Sequence, residues 1–135
     1  MSISAYQSNR INNRNFGNIT FTVPTTVYFG LSTSPINFDG TGATEPSGNN
    51  YSRVAVANNK TTWGNSANGI LSNLIQIIFP QSSGSWGTIT NILLADASIA
   101  GNILYYDVLS PSRSVAASTT VLFDIGAVII QQNNT

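Results

Sequence analysis

The chain has 135 residues, 41% of them hydrophobic and only 7% charged, with five basic and five acidic side chains. That length fits one domain, and the apolar share supplies a core, which excludes wholesale disorder. There is no cysteine and no histidine, which excludes disulfides, thiolate nucleophiles, Cys-based metal centres and a Ser-His-Asp arrangement.

Residues 1–22 read as an extended N-terminal arm. They are rich in Asn and Ser, show no hydrophobic period, and carry Arg10 and Arg14 without an acid. Tyr6, Ile11 and Phe16 are irregularly spaced apolar anchors. With the two arginines they are the candidate partner-binding residues of the arm, docked in a neighbour's groove or left as a frayed terminus. The arm contains no apolar stretch of the kind a cleaved signal peptide needs.

The folded body is expected over residues 23–131, with a polar tail at 132–135. Residues 25–33 (TTVYFGLST) read as a strand. Residues 34–50 form a loop with two prolines and three glycines, long enough to be functional or to contact a partner. Residues 51–57 (YSRVAVA) alternate, setting Val54 and Val56 on one face. Short strands are expected at 61–63 and 69–71. Residues 74–79 (LIQIIF) are nearly continuously apolar up to Pro80, as in a strand buried on both faces. Residues 88–95 (TITNILLA) alternate again. Gly101-Asn102 makes a turn before a strand at 103–109 (ILYYDVL), 110–113 makes another, and 119–130 is a last strand with Gly126 at a bulge.

Seven or eight short strands and no amphipathic helix predict an all-β fold: an antiparallel β-sandwich, jelly-roll-like, with the extended N-terminal arm. Its expected core includes Ile75, Ile77, Phe79, Ile92, Leu94, Leu104 and Val121.

Carboxylates are the only groups that suit catalysis. Asp96, Asp107 and Asp124 lie in or beside strands, where two could pair as acid and base. The plainer reading gives them solvent faces or turn amides, and no catalytic residue is assigned. Asp39 and Glu45 flank a glycine-rich loop but lack the carboxylate pattern of a calcium site, so no metal and no cofactor is assigned. Gly40-Thr41-Gly42 lacks the lysine and helix of a phosphate loop. Trp63 and Trp86 serve either as core or, with Asp39 and Glu45, as interface residues. Zero net charge gives no field towards nucleic acid or an anionic membrane, and no apolar run reaches the ~20 residues of a helical span.

From Thr26 onward the order of segments resembles a family of small tailed-phage virion proteins. The carrying stretches are VYFGLSTSP (27–35), EPSG (45–48), NYSRVAVA (50–57), IIFPQSSGSWGTITNILLADA (77–97) and GNILYYDVLSPSRSV (101–115). The family pattern maps onto Tyr51 and Arg53 after the loop, and onto Ser85, Trp86, Gly87, Thr88 and Asp96 around the later turn and strand. The resemblance implies a virion structural protein, made in the host cytoplasm, that is tail-fibre-like or decorates the shell. The expected role is a capsid cement protein binding the major capsid protein and neighbouring copies of itself, as a homotrimer. The alternative is a tail-fibre or tail-associated adhesin recognising a host glycan. A carboxylate glycosidase ranks far behind both.

Overall fold

The computed structural model describes residues 1–132. In chain order the elements are β1 (Ser2–Ile3), α1 (Ala5–Gly17), β2 (Thr26–Ser32), β3 (Val54–Ala57), β4 (Ile70–Ser72), β5 (Ile77–Ile78), β6 (Gly87–Ala95), β7 (Ile103–Val115), β8 (Leu122–Phe123) and β9 (Ile129–Gln131). Five strands make one antiparallel sheet in the order β1-β7-β6-β2-β3. The expected all-β, antiparallel class is what the molecule shows.

Register follows from the period-two alternation of strands. One row of Cα partners crosses the whole sheet, from Ile3 through Tyr105, Leu94 and Phe29 to Val54. These side chains belong to the main core cluster, with Phe29 fully buried at its centre. Truncating a residue in that position to Ala costs about 3–5 kcal/mol. Tyr106, one residue along β7, packs instead on the other face, against a second cluster of Ile36, Leu93, Ala95 and Ile103. The long loop after β2 covers that face. Gly30 lets it come close: a Cβ there would stand 2.7 Å from Glu45 Oε1 and 2.8 Å from Leu93 Cδ1.

The second layer, over the main core face, is a ribbon broken in the middle. β4 pairs antiparallel with β9, and β5 with β8, so residues 70–79 run alongside 121–131. At the break sits Asn73, fully buried. Its Nδ2 donates to Ile75 O (2.8 Å) and Asp124 O (2.9 Å), and its Oδ1 accepts from Val128 N (2.9 Å). A buried amide is tolerated when its hydrogen-bonding capacity is met in this way.

β7 is irregular where it leaves the sheet's centre. Between the pairs Ile89–Arg113 and Asn91–Val108, β6 advances two residues while β7 advances five. The excess residues of β7 loop outwards and include Pro111. β1 covers β7 only at Tyr105 and Tyr106, so the edge beyond them carries no partner strand among the described residues.

Several expectations need correction. The N-terminal arm is not extended: its first residues add a strand to β7, and thirteen residues then form α1. Ser4 caps the helix by accepting from Gln7 N (3.2 Å), and Asn18, in the left-handed region at φ 51°, ends it. Residues 74–79 are not a strand buried on both faces. Only Ile77 and Phe79 turn inwards, and Ile75 is 38% exposed, because nothing among the described residues covers the ribbon's outer side. Residues 110–113 lie within β7 rather than in a turn. The last predicted strand is two short ones, parted by a turn in which Gly126 has φ 78°. Of the remaining expected core, Ile92, Leu94 and Leu104 are buried and Val121 packs against the core while partly exposed.

Candidate functional site

The N-terminal segment is locked to its own sheet. Ser4 N donates to Leu104 O (3.0 Å) and Ala5 N to Phe38 O (2.7 Å), which fixes where α1 starts. The helix packs on β7 without burying any residue fully. Of the five arm residues expected to bind a partner, Arg10 turns out to bind its own chain. Its guanidinium lies 4.0 Å from the Phe21 ring centre and 5.1 Å from that of Tyr6. It also donates to Thr22 O (3.1 Å) and Gln7 Oε1 (3.3 Å). Stacking and hydrogen bonding together pin the segment returning from α1. Ile11 is half-buried, whereas Arg14 and Phe16 face solvent, Phe16 at 89% exposure.

Between α1 and the ribbon lies a cavity of about 400 Å³. Its floor includes Val27, Trp63, Leu94 and Leu104, and Arg10 and Lys60 stand among its lining with no carboxylate. It is shaped for an apolar group, and its charges favour an anionic neighbour over a cationic one. Tyr105 also lines it; burial pushes the Tyr105 hydroxyl upward in pKa, and hydrogen bonds with Gln132 and Gln7 oppose this.

On the opposite face of the sheet, the long loop is fastened by one ionic cluster. Arg53 Nε donates to Glu45 Oε1 (3.0 Å) and Oε2 (3.2 Å), and Nη2 to Oε2 (2.7 Å). Arg53 Nη1 donates to Ala97 O (2.6 Å) and Ala100 O (2.8 Å). Tyr51 donates its hydroxyl to Glu45 Oε1 (2.7 Å) and accepts from Leu31 N (2.8 Å). Burial pushes the Tyr51 hydroxyl far above the ordinary phenol range, and the adjoining Glu45 carboxylate adds to the rise. The resemblance had marked Tyr51 and Arg53. Their union with Glu45 was not read from the sequence.

The other candidates separate. Asp39 closes a tight turn by accepting from Thr41 N (3.0 Å) and Oγ1 (2.6 Å), which lowers its pKa. With Asp39 bound to Thr41 and Glu45 to Arg53, the two carboxylates serve different partners. The interface assignment of Trp63 and Trp86 is corrected: both are buried in the core. Trp63 packs on Phe29 at 6.0 Å, and Trp86 meets the Tyr51 ring edge-on at 5.2 Å while donating Nε1 to Asn49 O (2.9 Å).

The strand aspartates do not pair either. Asp96 accepts from Asn102 N (2.7 Å) and Nδ2 (2.9 Å), holding the turn between β6 and β7. Asp107 accepts from Val108 N and faces the Met1 amine at 3.6 Å. Asp124 accepts from Gln76 Nε2 (3.1 Å) and Ile125 N (2.8 Å), and its pKa is lowered, chiefly by Gln76. No cluster of three metal-ligating side chains occurs among the described residues, and no helix is long and apolar enough to cross a membrane.

No curated protein matches this sequence. A family model described as podophage GP4 fiber I protein gp80 matches residues 2–131. The match runs from β1 through the end of β9, so it takes in the N-terminal helix, the ionic cluster and the ribbon alike. The chain therefore belongs to the podophage GP4 fiber I protein gp80 family and is a structural protein of a small tailed phage.

Proposed function

We propose that this protein is a non-enzymatic subunit of the phage fibre apparatus, a rigid β module held in place by its neighbours. The observation that carries the reading is the use of its carboxylates. All five acidic side chains are bound to turns, to a buried arginine or to a terminal amine, at separate places in the fold. General acid–base chemistry needs a carboxyl group free to exchange a proton in a cleft. A scaffold needs its polar groups satisfied, and every buried side-chain polar atom among the described residues has a hydrogen-bond partner.

The family's description as a fibre protein favours placement in a fibre over placement as a cement on the shell. Its expected partners are neighbouring copies of itself and one further virion protein that anchors it. Copy number per particle tests the placement. A quantitative gel of purified virions should give a few to a few dozen copies, and hundreds of copies would return the protein to the capsid surface.

A further inference from the structure

The outer side of the ribbon layer is the least explained surface of the molecule. Ile78 and Leu122 face each other across β5 and β8, and each is 49% exposed. Leu74, Ile75, Ile125 and Ile129 lie in the same layer and are exposed as well. Asp124 is the one charged residue in the two segments 70–79 and 121–132. Six large aliphatic side chains so exposed present roughly 500 Å² of apolar surface, at the upper end of what a monomer carries.

The surface has hollows beside its projections. Two cavities of about 280 and 270 Å³ open along the seam between β7 and the ribbon. Leu109 and Phe123 line both, Leu122 lines the first and Ile129 the second. The layer itself rests on pairings of two and three residues per strand, short for a ribbon without support on its outer side.

We propose that this face, centred on Ile78 and Leu122, binds the same face of a second copy of this chain. The choice of partner rests on the structural reading above, in which copies lie side by side, and on three features of the surface. The projections are aliphatic, and the adjacent hollows are lined by apolar side chains together with Arg113 in the first and Asp107 in the second, so the face offers both knobs and sockets to a copy of itself, as a two-fold contact requires. Asp124 is the one charge of the ribbon segments, Arg113 and Asp107 put opposite charges along the seam, and the whole chain has no net charge to keep copies apart. With the small polar residues between the aliphatics, its area approaches the ~800 Å² per partner of a standard stable interface.

Sedimentation velocity on the purified full chain across the micromolar range tests this, using Ile78→Glu, Leu122→Glu and, as a control elsewhere, Phe16→Glu. The wild type and Phe16→Glu should self-associate. The two ribbon variants should be monomeric, with dissociation constants raised roughly a hundredfold or more by a carboxylate forced into an apolar contact. Half-exposed positions let the new carboxylate reach water in the monomer, and circular dichroism checks the fold. Ile78→Thr and Leu122→Thr, which keep strand preference, replace any variant that unfolds and should weaken association in the same direction. A monomeric wild type, folded ribbon variants that associate as tightly as wild type, or dissociation by Phe16→Glu would each overturn the proposal. Recovery of the protein in virions is scored separately: its absence there refutes the fibre reading and leaves the sedimentation result untouched.

Discussion

Arg53 holds Glu45 through three N–H···O contacts while its remaining nitrogen reaches two backbone carbonyls of the turn between β6 and β7. One side chain thus ties the long loop, strand β3 and a turn some forty residues away in sequence into a single block. The arginine side chain is 6% exposed, so its charge is compensated by these contacts rather than by water. Arg53→Ala should cost about 3 kcal/mol, because it strands a partly buried carboxylate and two carbonyls. Arg53→Lys should recover little, since an ammonium cannot reproduce the planar fork. Urea unfolding of the two variants beside wild type measures both.

Asn73 is expected to tolerate no substitution. Asn73→Ala removes three hydrogen bonds at a fully buried site and should destabilise by about 3 kcal/mol or more. Asn73→Asp should be at least as harmful at neutral pH, because a carboxylate oxygen would replace the amide that donates to Ile75 O and Asp124 O. Thermal melts of both variants check the order, and an Asp variant as stable as wild type would contradict the assigned amide orientation.

The N-terminal helix should behave as part of the folded body. Ser4→Ala deletes the cap at Gln7 N and should cost about 1 kcal/mol. Deleting residues 2–18 should lower the melting temperature clearly, since it uncovers β7 and removes the Arg10 clamp on Phe21 and Thr22. A deletion variant as stable as the full chain would show that the segment adds nothing to the body.

Alkaline pH should unfold the protein through its buried tyrosines. Tyr51 and Tyr105 have pKa values raised by burial above the ~10 of an unfolded tyrosine. Above about pH 10 the unfolded chain releases these protons while the folded chain retains them, so stability falls as pH rises. The slope reaches roughly 1.4 kcal/mol per pH unit for each tyrosine. Stability contributed by these groups is fully present below about pH 10. Urea midpoints measured from pH 8 to 11 should fall above 10, and less steeply in Tyr51→Phe.

The strands with ordinary alternation were legible. β2 and β6 fall within a residue or two of the runs that predict them, and Ile77, Phe79, Ile92, Leu94 and Leu104 are buried as expected. α1 was missed because it carries little apolar stripe: Ile11 is its main inward aliphatic, and Arg10 supplies contacts an apolar residue would normally make. The signal that could have found it was the Ser4-x-x-Gln7 capping pattern together with Asn18 after Gly17. LIQIIF misled for a different reason. A continuous apolar run implies burial on both sides only if something covers both, and nothing among the described residues covers the outer side of the ribbon. The ionic cluster was hidden because Glu45 sits in a loop whose path no periodicity describes; Trp63 and Trp86 were ambiguous because aromatic residues serve cores and interfaces equally well.

The outward loop in β7 bears on what would happen if copies of this chain met edge to edge. A long strand with an uncovered edge is a template on which another chain can add strand after strand, and crowding in a repeating assembly favours that growth. Here the free edge is broken by three surplus residues, and Pro111 among them has no amide proton to offer an incoming strand. Arg113 and Asp107 flank the interruption with opposite charges. Copies of this chain can therefore lie close together through their side chains without their backbones merging into an endless sheet, and replacing Pro111 by a β-branched residue would remove the guard against fibril growth.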